Sequence, residues 1–123
     1  MRLKLIVAVV AALVPAMASA QSMTAETFFQ KAQALQRKGM MAMFSKDVKT
    51  LMKEAKAAGE TARAQRLATL KAGKTPRYCP PKGAQRMGSD EFMQRLGAMP
   101  RIERLRIDMT EAMIRIMVAK FPC

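Results

Sequence analysis

From Thr24 onward the apolar positions of this chain recur at helical rather than strand spacing. Phe28, Ala32 and Leu35 share one face of a first helix. Thr24 is placed to cap that helix, with Met23 and Phe28 stapled across the cap, and Gly39 stands where a C-terminal cap belongs. After the run MMAMF, Ser45 fits a second N-cap with Asp47 in the favourable first turn. Val48, Leu51, Met52, Ala55 and Ala62 then lie on one face. The pattern continues to Leu67 and Leu70, so Gly59 either breaks this helix or lies within it. The segment GKTPRYCPPKG, residues 73–83, cannot be helical, because its three prolines lack donors and its two glycines favour turns. Ser89 is expected to cap a short helix carrying Phe92, Met93 and Leu96. Asp108 and Glu111 form a D-x-x-E capping box for a last helix lined by Met109, Ala112, Met113, Ile116 and Met117, which Pro122 ends. The pattern predicts a small all-α domain: helices over about 25–72, a Pro-rich loop at 73–88 and a helical half at 89–123.

The first twenty residues read differently. Arg2 and Lys4 form a positive start, Leu5 to Val14 are uninterruptedly apolar, Pro15 breaks the run, and Ala18-Ser19-Ala20 supplies small residues for cleavage. This is the layout of a signal peptide removed after Ala20. An apolar run of this length falls well short of the roughly 20 residues that span a bilayer as helix, so a transmembrane anchor is not expected. The mature chain, residues 21–123, is expected to be one domain in the periplasm.

Charge narrows the partners. Without Arg2 and Lys4 the chain keeps 20 basic residues against 9 acidic ones, a net charge of +11. Such a surface attracts anionic lipid, glycan or acidic protein, and export argues against nucleic acid. The absence of histidine excludes Ser-His-Asp and Cys-His catalysis and ordinary zinc sites. Asp47, Asp90, Glu91, Asp108 and Glu111 stand at helix starts, where the helix dipole accounts for them. No pair of carboxylates is placed for acid–base work and no Gly-rich loop for phosphate, so neither catalysis nor a cofactor is expected.

Two side-chain patterns remain as candidates for binding. Met40, Met41 and Met43 cluster, and Met109, Met113 and Met117 step by four. This spacing reads as core or adaptable protein interface in preference to a Cu(I) site, since no histidine assists the thioethers. Lys46, Lys49, Lys53 and Lys56 form a basic helix face that Arg63 continues. They are the candidate partner-binding residues, toward an acidic protein or an anionic envelope surface.

Two cysteines in an exported chain of this size read as a structural disulfide, Cys79–Cys123, that pins the last helix to the Pro-rich loop. The C-terminal half, YCPPKG followed by SDEFMQRLGAMPRIERLRIDMTEAMIRIMVAKFPC, resembles that half of the Rap/Tai-type immunity family: a Cys-Pro start, a short capped helix, a proline-led turn and a helix ending Phe-Pro-Cys. The resemblance covers about Tyr78 to Cys123. It implies a small exported helical protein, often dimeric, associated with type VI secretion. By the same resemblance the protein binds and blocks a peptidoglycan amidase toxin. The family commonly carries further cysteines in the N-terminal half, where this chain has none.

Overall fold

A computed structural model describes residues 23–83 and 87–123. The expected signal peptide lies outside them. Helix α1 spans Ala25–Lys38 and α2 spans Lys46–Lys71, joined by a tight 3-10 turn over Gly39–Phe44. Helix α3 spans Ser89–Ala98, α4 is a single turn over Arg101–Arg104, and α5 spans Met109–Lys120. The domain is all-helical, and the described residues contain no strand beyond one isolated bridge between Thr24 and Asp108. No helix among them is long and apolar enough to cross a membrane.

The caps follow local chemistry. The Thr24 hydroxyl accepts from the Thr27 N–H at 3.2 Å, the Ser45 hydroxyl from Asp47 at 3.2 Å and the Asp108 carboxylate from Glu111 at 2.8 Å. Each supplies an acceptor to a first-turn amide that has no partner within its helix. Gly39 ends α1 with φ of 58°, the left-handed region that glycine enters without a Cβ clash. The third expected cap differs. Gly88 occupies the N-cap of α3 and Ser89 is already helical, so Asp90 and Glu91 are what favour this start, through the helix dipole.

Gly59 is passed through. Helix α2 runs 26 residues without a break, and an ideal Cβ at Gly59 would meet no atom within 4 Å. Gly59→Ala is therefore expected to raise stability by about 0.5–1 kcal/mol, as a higher midpoint in urea with unchanged slope.

Helix α5 is the centre of the core. Met109, Ala112 and Ile116 on it are essentially inaccessible and pack with Ala25 and Phe28 of α1, Leu51 and Ala58 of α2, and Leu96 of α3. Phe28 meets Phe92 edge to face at 5.8 Å, tying α1 to α3. Ile114, on the opposite side of α5, forms a second cluster with Ala62 and Tyr78. Helix α5 is thus apolar around most of its circumference, whereas its sequence suggests a single stripe.

Three polar fixtures lock the N-terminus of α1 against chain far downstream. The Ala25 amide donates to the Ile107 carbonyl at 2.9 Å, and the Met23 amide donates to the buried Glu54 at 3.0 Å. Glu26 is buried and accepts from Arg104 Nε at 2.6 Å. Arg104 also donates to the carbonyls of Gly97 and Met99 at the end of α3, and its guanidinium lies over the Phe29 ring at 4.3 Å. This hydrogen bond from Arg104 is the main cause holding the Glu26 carboxyl below its ordinary value, against the opposing pull of burial.

The Cys79–Cys123 disulfide is formed, with Cα atoms 4.9 Å apart across 44 residues of sequence. Beside it the Cys79 amide donates to the Phe121 carbonyl at 2.8 Å, so the Pro-rich loop is stitched to the end of α5 by backbone as well as sulfur. Arg77 continues the stitch along α5, pairing both its terminal nitrogens with Glu111 at 2.8 Å.

Candidate functional site

Two surfaces stand out from this frame. The first is the 3-10 turn between α1 and α2. Met40, Met41, Met43 and Phe44 are 83%, 72%, 75% and 88% exposed, while Ala42 is the buried member of the turn. Six residues leave little room between two helix ends, so one small side chain is turned inward and the large ones outward. The Gly39 cap and the Ser45 cap fix the turn on both sides. The result is an apolar knob, flanked by the exposed cations Arg37, Lys38, Lys46 and Lys49. Met52, one further turn into α2, adds a fifth exposed large apolar side chain at 67%. The methionine cluster is therefore surface rather than core.

The second surface is a groove of about 1220 Å³ between the α1/α2 pair and the α3/α5 pair. Phe28 and Leu35 line it from α1, Val48, Leu51 and Met52 from α2, Met93 from α3, and Met113 and Met117 from α5. Thus the stripe Met109, Met113, Met117 is split: Met109 is buried in the core, while the other two are half-buried and face the groove. Ala32, Ala55 and Gly59 leave its walls open, because their side chains are too small to fill the space.

The predicted basic residues do not act as one set. Lys56 and Arg63 line the groove; Lys46, Lys49 and Lys53 are exposed on α2 outside its lining. Among the described residues none of the five forms an ion pair. Two further cations, Arg66 and Lys120, also line the groove. Arg66 lies with its guanidinium 5.7 Å from the centre of the Tyr78 ring, and its Nε is buried without an acceptor. Lys120 lines the groove from α5 and is held by both oxygens of Glu91, at 2.7 and 2.6 Å. That contact is the main cause keeping the Glu91 carboxyl below the usual carboxylate range.

Two further carboxylates are taken up in ion pairs. Glu111 serves Arg77 and Arg115, which hold its carboxyl below its ordinary value, and Glu26 serves Arg104. No three acidic or cysteine side chains among the described residues are grouped to hold a metal ion. The described surface thus presents an exposed apolar knob, and an open apolar groove with cations along one stretch. Compared with known proteins, the chain matches no family model, no curated protein and no solved structure.

Proposed function

We propose that this is a non-catalytic, exported binding protein of the immunity type, which occludes a partner enzyme by seating the Met40–Phe44 knob in its cleft. The observation that carries the reading is the exposure of four large apolar side chains on one six-residue turn bracketed by helix caps on both sides. Contiguous exposed apolar surface marks interaction sites, and methionine adapts to the shape it meets. The flanking Lys38, Lys46 and Lys49 suit a cleft with an acidic rim and would speed encounter. The resemblance of Tyr78–Cys123 to the Rap/Tai-type half supports a peptidoglycan amidase toxin as that enzyme. The disulfide is consistent with export to the periplasm.

The test immobilises the mature chain, residues 21–123, and compares it with Met43→Glu/Phe44→Glu and with Lys46→Ala/Lys49→Ala in capture from periplasmic extract. The same proteins are then titrated with each purified captured enzyme while its activity is followed. An enzyme inhibited by the wild-type chain should escape the knob variant by a factor of 100 or more, since burying a charge at an anchor forfeits its contacts. The lysine variant should mainly slow association, with the difference fading as salt rises from about 0.05 to 0.5 M. Retention of lipid or lipopolysaccharide alone, lost in the lysine variant and in high salt, would replace this reading with a cationic envelope-binding protein.

A further inference from the structure

The groove's apolar residues are spaced as one helix spaces a face for another. Val48, Met52, Ala55 and Gly59 follow on α2 at steps of four, three and four. Phe28, Ala32 and Leu35 follow on α1 at four and three, and Met113 and Met117 on α5 at four. Leu51, Ala58 and Ala62 already give α2 a buried face toward its own domain. The stripe from Val48 to Gly59 is a second face beside it, half-buried at Val48, Ala55 and Gly59 and exposed at Met52.

The dimensions suit a helix. From Val48 to Arg66 the groove follows 18 positions of α2, about 27 Å at 1.5 Å per residue. Its 1220 Å³ spread over that length, with about 1.4 Å added at each wall for the radius of an occupying atom, gives a width of about 10 Å. Packed helices lie about 8–10 Å apart, and the open side of the groove leaves the polar face of an incoming helix in water. An extended segment would bring one N–H and one C=O per residue against a largely apolar lining that cannot satisfy them. A helix satisfies its own.

Charge decides which helix fits. On the edge of the α2 stripe away from the core, Lys56 and Arg63 are exposed, seven positions or about 10 Å apart. Among the described residues neither forms an ion pair, with Glu60 between them or with any other acid. Lys120 on the α5 wall is already held by Glu91, and Arg66 lies against Tyr78. With these four cations against Glu60 and Asp90, the lining keeps an excess of positive charge. A second copy of this chain is opposed by that charge, since its exposed faces carry Lys31 and Arg37 on α1 and Lys46, Lys49 and Lys53 on α2.

We propose that the groove docks an acidic amphipathic helix of a protein partner. Its apolar stripe lies on Val48, Met52, Ala55, Gly59 and Met113, and two carboxylates seven residues apart face Lys56 and Arg63. Charges flanking an apolar seam set partner choice between helices in the same way. Ala55 and Gly59 let the incoming backbone come close, since even an ideal Cβ at Gly59 would meet no atom within 4 Å. The site is separate from the knob and does not rest on the enzyme that the knob would occlude.

The experiment titrates the mature chain, residues 21–123, with a synthetic amphipathic peptide of about 18 residues, long enough as a helix to follow the groove. The peptide carries leucine and alanine at steps of three and four, with glutamates seven apart at the edge of that stripe. A second peptide has lysines in place of the glutamates, and a third has the acidic composition with the stripe scrambled. Binding is read by calorimetry and by the gain of peptide helix in circular dichroism. The acidic peptide should saturate one site, the lysine peptide should bind roughly tenfold more weakly or less, and the scrambled one should not bind. Lys56→Glu/Arg63→Glu, at two exposed positions, should reverse that order of preference. Gly59→Phe should abolish binding of the acidic peptide while the domain keeps a cooperative melt; if the ring disturbs folding, the charge-reversed variant decides alone. Phe44→Glu should leave every affinity unchanged, so the groove and the knob succeed or fail separately. No saturation by the acidic peptide, equal affinity for the acidic and lysine peptides, or a preference that charge reversal does not move would overturn the proposal. So would acidic-peptide binding that survives in folded Gly59→Phe, which would place the contact on the lysine surface outside the groove. Sedimentation of the free chain is the last arm: a dimer that Gly59→Phe turns into monomer would give the groove to a second copy and overturn the proposal as well.

Discussion

Arg104→Met should destabilise the domain by about 3–5 kcal/mol, close to the whole margin of a small protein. The side chain is 7% exposed and Glu26 is 5% exposed, so removing the cation leaves a buried carboxylate with only the Gln30 amide and the exposed Arg101, 3.4 Å away, as its partners. The same substitution leaves the Gly97 and Met99 carbonyls at the end of α3 without their donor, and it takes the guanidinium from the Phe29 ring. Lysine would not rescue it, because a single ammonium cannot reach Glu26, serve two carbonyls and stack on Phe29 together. The double variant Glu26→Gln/Arg104→Met should recover a large share of the loss, since the buried, underpaired charge is then gone. If Arg104→Met alone were nearly neutral in urea unfolding, the pair would be no more than a solvated contact.

The pair also sets an acid limb. The Glu26 carboxyl titrates lower in the folded chain than its ordinary value of 4.5, so its contribution is fully present above that value. It is lost as pH falls below 4.5 toward the folded value, because protonation is then easier in the unfolded chain. Glu26→Gln should flatten stability against pH in that acid range, measured as urea midpoints at successive pH values.

Cys123→Ser is the second large effect. In the chain-entropy picture, closing 44 residues of sequence restricts the unfolded ensemble by about 4 kcal/mol, and native bridges of small domains contribute about 2–5 kcal/mol. A loss of 2–4 kcal/mol corresponds to roughly 10–20 °C in Tm for a domain of this size. Cys79 is solvent-exposed, so its freed thiol should react with a maleimide under native conditions. The backbone bond from Cys79 to Phe121 and the Arg77–Glu111 pair remain, so the fold should persist at room temperature with a loosened C-terminal stitch. An unchanged Tm in oxidising buffer would show that the bridge only decorates an already closed structure.

How much of this could be read beforehand divides along the range of the interactions. Helix starts at Thr24, Ser45 and Asp108 are written in residues two or three positions apart, whereas the sequence left open whether α2 passes through Gly59. Cys79 and Cys123 had only each other to pair with. The Glu26–Arg104 fixture was not legible, because it joins positions 78 apart and periodicity carries no information at that distance. The knob was half visible. Five apolar residues in a row between a cap glycine and a cap serine exceed what one short turn can bury, yet the methionines read equally well as core. The groove was hidden for a different reason: its walls come from four helices, α1, α2, α3 and α5, that only the tertiary fold brings together. Only that tertiary arrangement brings Lys120 of α5 to the same cleft as Lys56, Arg63 and Arg66 of α2.

The order in which the chain acquires its structure follows from where α1 is anchored. Ala25, Glu26 and Thr24 are held by Ile107, Arg104 and Asp108, and the floor under α1 is Met109 and Ala112. These contacts are remote in sequence, so they carry a high loop-closure cost and form late. A chain emerging N-terminus first holds α1 and α2 as an unsupported hairpin until residues 104–116 follow. Such a hairpin resists premature folding and remains threadable, and it also leaves Phe28 and Leu51 uncovered for that interval. The element synthesised near the end is thus the one that decides when folding begins.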